Sequence, residues 1–348
     1  MIKSAEIRNF RCYSSAKLED CRRINLIVGD NGSGKTSLLE SIFLAAGGSV
    51  EIAFRLRQLR GYEAGISATS NEIDDALWRD LFYKFNKMSE VSVSLLGSEF
   101  RNRRMSIKFA EANSVTHTIN KKSKFDANVE QSPILFDWLG PSGRRVTVRP
   151  TIKDGKVNLP TVLPLPEETF FFAAGQNYSA NETAKRFSDL SKTFKDFEVT
   201  RRFKEHFTMI EDLSIELIAG MPMVCAKIEG MPEKVPLNLI SSGMSKLASI
   251  IFAMSSKKGS VVLVDEIENG IHYRKFPVMW ESFLDFCKMT DSQLFISTHS
   301  FECISAAAAV AERHPDDFCV IHTNGKGEIR QFGGASFAKA IEQEIEIR

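Results

Sequence analysis

No apolar run in the sequence approaches the roughly 18 residues that a spanning helix needs. The start, MIKSAEIRNFRC, is charged and alternating where a secretory leader would be apolar. These two features predict a cytoplasmic chain without a membrane partner. Net charge is almost lacking as well, because 45 Lys and Arg face 44 Asp and Glu. No global field gathers nucleic acid or anionic lipid, so any polyanion site must come from local clustering. Cysteine is sparse. Cys12, Cys21, Cys225, Cys287, Cys303 and Cys319 form no C-x-x-C pair and have no His at zinc-ligand spacing, which excludes a zinc ribbon. A disulfide framework is not expected in a reducing compartment, and a catalytic thiol would need a basic neighbour in space that the sequence does not place, so buried free thiols are expected. Internal repeats and heptad runs are lacking too, which excludes a solenoid and a long coiled-coil lever.

What the chain does have is globular: 43% hydrophobic and 26% charged residues over 348 positions. That composition excludes disorder as the dominant state. The length suits two domain-sized units, or one composite unit with insertions. Three strands open the chain, at Ile2 to Arg8, Tyr13 to Leu18 and Ile24 to Val28, the last continuously apolar as in a strand buried on both faces. A glycine turn follows, then a helix with Leu38, Leu39, Ile42 and Phe43 at helical spacing, ended by Gly47-Gly48. A charged helix is expected over Asp74 to Asn86, and antiparallel strands over Val91 to Leu96 and Arg104 to Phe109. Prolines punctuate residues 110 to 165, which reads as loops and short strands of an insertion.

Phe170 to Ala173 reads as a buried strand. Phe187, Leu190, Phe194, Phe197, Phe203, Phe207, Ile210 and Leu213 then recur by threes and fours, which predicts one or two amphipathic helices with the aromatic stripe in the core. The last hundred residues alternate: a helix from Ser245, strand 261 to 264, a helix over Pro277 to Met289, strand 294 to 298, an Ala-rich helix over 305 to 312, and a hairpin around Asn-Gly-Lys-Gly. The pattern predicts an α/β fold with a mixed sheet, its parallel core strands flanked by helices, plus a helical and antiparallel β insertion. The expected organisation is a lobe over 1–115, an insertion and helical subdomain over 116–234, and a second lobe over 235–348.

Four segments carry chemistry. Gly29-Asp30-Asn31-Gly32-Ser33-Gly34-Lys35-Thr36 matches G-x-x-x-x-G-K-[ST] between an apolar strand and a helix. Its backbone N–H groups and the helix N-terminus cradle phosphate, Lys35 adds a point charge for the outer phosphates, and Thr36 offers a hydroxyl to Mg²⁺. VVLVDEIENGIH ends an apolar strand in Asp265, suited to hydrated Mg²⁺, and Glu266, suited to polarising the attacking water. LFIST delivers His299 at the same kind of strand end, as a γ-phosphate contact. Ile240-Ser241-Ser242-Gly243-Met244-Ser245 opens a helix and offers a second anion site, most economically for a nucleotide held by another copy, although Ser-Ser-Gly is also a plain N-cap.

In that order the segments resemble the ATP-binding-cassette superfamily, and within it the branch of RecF, SMC heads and OLD-like ATPases. IKSAEIRNFRCY resembles that branch's opening strand. The resemblance implies an ATPase using ATP and Mg²⁺, with nucleotide held by Asn31, Gly32, Ser33, Gly34, Lys35, Thr36 and Ser37. It implies Ser242 and Gly243 as the signature acting in trans, Asp265 with Thr36 on the metal, and Lys35, Glu266 and His299 as the catalytic set. Asn269 and His272 fall in the loop that crosses a dimer interface. Gln58 and Gln176 are candidates for the glutamine loop. The signature reads ISSGM where transporters carry Leu-Ser-Gly-Gly-Gln, which argues against a transporter subunit. OLD nucleases carry a further nuclease domain after the ATPase, whereas this sequence stops soon after its final hairpin, so nuclease activity is not expected.

The first expectation is a homodimer or higher oligomer that closes over ATP and regulates a separately encoded effector in bacterial anti-phage defence. The alternative is a RecF-like DNA-binding ATPase of repair or maintenance. DNA or RNA contact would use Arg101, Arg103 and Arg104, Lys121, Lys122 and Lys124, or Arg144, Arg145 and Arg149.

Overall fold

A computed structural model describes residues 1–47, 77–97, 103–109, 129–140, 143–153, 156–158, 169–175 and 179–343, with Ile52, Ala53, Leu56 and Asp75. Its strands are β1 (Ile2–Phe10), β2 (Tyr13–Leu18), β3 (Ile24–Val28), β4 (Val91–Gly97), β5 (Arg103–Phe109), β6 (Val129–Gln131), β7 (Ile134–Leu139), β8 (Arg145–Val148), β9 (Thr151–Lys153), β10 (Lys156–Asn158), β11 (Thr169–Phe172), β12 (Ile210–Ile218), β13 (Met221–Ile228), β14 (Val235–Pro236), β15 (Val261–Val264), β16 (Gln293–Ser297), β17 (Phe318–Thr323) and β18 (Ile329–Gly333). The α-helices are α1 (Lys35–Gly47), α2 (Ala180–Lys192), α3 (Asp196–His206), α4 (Leu237–Ile240), α5 (Ser242–Ser256), α6 (Phe276–Thr290), α7 (Phe301–Arg313) and α8 (Gly334–Glu342).

The core sheet runs β11-β15-β16-β3-β17-β18, parallel except for β18, which returns antiparallel beside β17. Every residue of β3, β15 and β16 is buried, as expected of largely apolar strands covered on both faces, although the run of β3 is interrupted by buried Asn25 and that of β16 is flanked by buried Gln293 and Ser297. Alternation sends Leu26, Val262 and Ile296 to the side packed by α2, α3, α5, α6 and α7. Ile27, Leu263 and Phe295 go to the side packed by α1. Helix α1 lies between the core sheet and an antiparallel sheet ordered β2-β1-β4-β5-β7-β8, and 11 of its 13 residues are buried. Strands β7 and β8, from beyond residue 115, complete the sheet that β1 begins.

The α/β architecture, the strands at Val91–Gly97 and Arg103–Phe109, and the alternating C-terminal elements agree with the expectations from sequence. Elsewhere the fold differs. Among the described residues, the stretch expected as a charged helix over Asp74 to Asn86 is α-helical at Asp75, Leu77 and Trp78 and then gives way to 3-10 turns at Arg79–Leu81 and Tyr83–Phe85. Ile210 and Leu213 do not extend a helix. They sit in β12, which pairs with β13 across Ala219-Gly220, both at positive φ as a tight hairpin turn demands. Phe187, Leu190, Phe203 and Phe207 are core residues, but Phe194 is 90% and Phe197 77% exposed, because α2 ends at Lys192 and the periodicity breaks there. A further helix, α8, follows the final hairpin. Five cysteines are buried and Cys12 is partly exposed, all with free thiols. Burial pushes Cys287 and Cys303 up to about 12, so both stay protonated near neutrality. No helix among the described residues is long and apolar enough to cross a membrane.

Candidate nucleotide site

Strand order assembles the site. With β15, β16 and β3 side by side, Asp265, Ser297 and the loop after Val28 emerge at one edge, the carboxyl ends of the parallel strands, where α/β sheets bind ligands. The loop from Gly29 to Thr36 is tightly wound. Gly29, Gly32 and Gly34 have φ of 142°, 78° and 104°, a region open to glycine and strained for other residues. Space adds a second constraint at two of them. A Cβ on Gly29 would strike the Thr323 carbonyl oxygen, and one on Gly34 would lie 2.7 Å from Tyr13 Oη. Tyr13 Oη in turn donates to Gly34 O at 3.0 Å, and burial pushes its phenol pKa up.

Lys35 folds into its own loop, with Nζ donating to Gly29 O at 2.6 Å and Asp30 O at 2.8 Å. The residue is 7% exposed. Burial lowers its pKa, opposed by the charges of Asp265, Glu266, Glu268 and Asp30. Thr36 Oγ1 donates to Asp265 Oδ2 at 2.7 Å, which sets two hard oxygen ligands side by side. Mg²⁺ binds through one or two protein oxygens, phosphate oxygens and retained waters, so this pair fits it. Asn31 and Gly32 are exposed, and Ser37 is partly buried in the first turn of α1. Ser33 is buried and its hydroxyl is tied to Thr323 Oγ1 at 2.7 Å.

Asp265 also accepts from Ser297 Oγ, and that same oxygen accepts the Glu266 N–H at 2.9 Å. Glu266 has a φ of 47°, unusual for a residue with a Cβ, and its Oε2 accepts from Asn269 Nδ2 at 2.7 Å. His299 stands beside Glu268. The same carboxylate oxygen lies 2.9 Å from His299 Nδ1 and accepts the His299 N–H at 2.8 Å. His272 caps the following 3-10 turn and stacks on Tyr273.

Helix α5 begins at Ser242, three residues before the sequence-based start, and its N-cap is Ser241, which accepts from Met244 N. Ser242 and Gly243 therefore occupy the first helical turn, with Ser242 exposed. This turn packs against the loop after β15, so closely that a Cβ on Gly243 would meet Gly270 O at 2.6 Å. Of the basic clusters, Arg104, Arg144 and Arg145 are exposed, while Arg103 is buried and its Nη1 donates to Ala46 O. Arg101, Lys121, Lys122, Lys124, Gln58 and Gln176 lie outside the described residues.

Four side chains of the site were not anticipated from sequence: Tyr13, Ser297, Glu268 and Lys246. The last had a legible signal, since it is the one charged residue in SGMSKLASIIFAMSS. The other three act through register and loop closure, which leave no local mark.

A family model described as an AAA domain matches residues 4–219, more than half of the chain. A second AAA-domain model, whose description names an AbiEii toxin of a type IV toxin–antitoxin system, matches residues 228–305. An ATP/GTP phosphatase of Helicobacter pylori is 21% identical over 331 residues, 87% of this chain and 86% of that protein. The DNA replication and repair protein RecF of Lachnoclostridium phytofermentans is 34% identical over 96 residues, 27% of each chain. The Rad50 ATPase of Archaeoglobus fulgidus is 36% identical over 84 residues, 23% of this chain and 10% of that protein. Among solved structures, an SMC head bound to the C-winged helix domain of ScpA superposes with a TM-score of 0.51 at 15% identity, covering 95% of this chain and 97% of the other. These last values show a shared fold.

Proposed function

The chain belongs to the AAA-domain family and is an ATPase of the RecF and SMC branch of the ABC superfamily, and from this we propose that two copies close over ATP and hydrolyse it at composite sites. In this reading the loop of one copy binds the nucleotide. Backbone N–H groups from Asn31 to Thr36 and the start of α1 at Ser37 meet the phosphates, and Lys35 turns from Gly29 O and Asp30 O to the outer ones. Thr36 and Asp265 would hold Mg²⁺, which offsets phosphate charge when bound. Glu266 accepts the proton of the attacking water, and His299, anchored on Glu268, contacts the γ-phosphate. Ser242 and Gly243 of the second copy supply the far wall.

The observation that carries the dimer is the placement of α5. Its first turn exposes Ser242 and buries Gly243 against Gly270 of its own chain, whereas the phosphate loop packs on Tyr13, Cys12 and Thr323. A helix start with an exposed serine and N–H groups unused within the helix is then available to a nucleotide outside its own loop. The test is complementation. Lys35→Ala removes the loop's cation and Ser242→Arg obstructs the wall, so each variant alone is inactive. Mixed, they form dimers holding one intact loop opposite one intact wall, and turnover returns. A mixture as inactive as its components would refute the composite site.

For the purpose of hydrolysis we propose control of a separately encoded effector in anti-phage defence. Two observations support a protein partner. The SMC-head relative is a structure of a head with a bound partner domain, and here Phe194, Phe197 and Leu217 are 90%, 77% and 75% exposed. The toxin–antitoxin description of the matching 228–305 model supports the defence context. DNA binding in the RecF manner is the second reading, supported by the RecF and Rad50 similarities and by exposed Arg104, Arg144 and Arg145. Salt-sensitive DNA binding by the purified chain would favour it.

A further inference from the structure

Helix α5 carries a single cation, Lys246, and buries it to 4% exposure. Removing an ammonium from water costs several kcal/mol unless its hydrogens are all used. They are: Nζ donates to Glu266 O at 2.8 Å, Ile267 O at 3.0 Å and Asn269 O at 3.3 Å. Three N–H donors thus meet three carbonyls of one loop. That loop is backbone-strained at Glu266, whose φ of 47° needs surrounding structure to hold it. It also meets α5 a second time, one turn earlier, where Gly243 closes on Gly270 O and Ser242 Oγ comes within 3.2 Å of a Cβ position on Gly270. The helix turn offered to a second copy's nucleotide and the grip on Glu266 are therefore one rigid element.

We propose that Lys246 is a positioning residue: it holds the Glu266 backbone in the orientation hydrolysis needs, and through α5 it ties that orientation to the contact that Ser242 and Gly243 make with the nucleotide of a second copy. Occupancy of one site then sets the geometry of the other. The inference rests on the proposed roles of Glu266 and of the α5 start. The groups facing Lys246 are Glu268, Glu266 and Asp265 in the loop and Cys303 on α7, and burial outweighs their charge to bring its pKa down to about 8.

Lys246→Met keeps the stem and removes the donors, while Lys246→Arg keeps a permanent charge. Steady-state hydrolysis by the full chain should show kcat reduced by about tenfold or more in Lys246→Met, with KM for ATP within about twofold, and most of kcat regained in Lys246→Arg. The pH profile adds a readout that packing alone would not move. Wild-type turnover falls as the amine loses its proton above about pH 8, and Lys246→Arg carries that limb to higher pH. If Lys246→Met does not fold, the Lys246→Arg profile decides: a shifted limb supports the grip and an unshifted one overturns it. Wild-type kcat in Lys246→Met, while Glu266→Gln is inactive, would overturn this inference alone. An active Glu266→Gln would instead overturn the reading it rests on.

Discussion

Replacing Glu266 by Gln isolates the chemical step from folding and binding. The side chain keeps its size, and the backbone ties persist: the N–H to Ser297 Oγ at 2.9 Å and the carbonyl to Lys246 Nζ at 2.8 Å. Turning the amide lets its oxygen still accept from Asn269 Nδ2, now as a neutral acceptor in place of a charged one. The stability change is therefore bounded by one weakened hydrogen bond, about 1 kcal/mol, or a fall of a few degrees in Tm. Turnover responds differently. Loss of a general base costs about 10²- to 10⁴-fold, which is about 3 to 5 kcal/mol of barrier at 1.36 kcal/mol per decade. Because loop, Lys35 and Thr36 are untouched, ATP binding should be unchanged and the closed dimer should accumulate. Phosphate release under single-turnover conditions measures the first effect, and light scattering after size exclusion under saturating ATP measures the second. Turnover within tenfold of wild type would refute Glu266 as the base, and a monomer under saturating ATP would refute closure.

Lys35→Ala should abolish measurable ATP binding by equilibrium titration, since the outer phosphates lose their main cation, and retained affinity would remove the loop assignment. Away from the site, Arg11 and Glu40 form an ion pair at 3.1 Å with side chains 7% and 2% exposed. Arg11 Nη1 also lies 3.7 Å from Asp80 Oδ2, so Arg11→Met removes the cation shared by two carboxylates and should lower unfolding stability by about 3 to 5 kcal/mol in urea, whereas the double variant with Glu40→Leu should recover part of it. An Arg11→Met chain as stable as wild type would show that the Glu40 carboxylate finds other support.

The ease of reading differed along the chain for identifiable reasons. The unit β3–loop–α1 was legible because four of the five residues of β3 are apolar, as suits a strand buried on both faces, and because φ of 142° and 104° at Gly29 and Gly34 admits glycine. The β12–β13 hairpin was not. Phe203, Phe207, Ile210 and Leu213 fall at helical spacing by chance of register, since α3 ends at His206 and only the pairing with β13 makes a strand of Ile210–Ile218. The exposure of Phe194 and Phe197 escaped the same periodicity, which reports a stripe and not where the helix bearing it stops.

Local chemistry, then, lay in the sequence itself: a phosphate loop, an acidic pair after a strand, a Ser-Gly helix start, and residue types that allow little else. Which of them meet was decided by strand order. Thr36 and Asp265 are 229 positions apart and Ser33 and Thr323 are 290 apart, and they touch because β15 and β16 lie on one side of β3 and β17 on the other. Lys246 gripping three carbonyls and Glu268 holding His299 arise from the same assembly. Hydrogen bonds act over about 3 Å in space, whereas sequence patterns report only on neighbours along one strand or helix, so contacts between elements come into being with the tertiary fold.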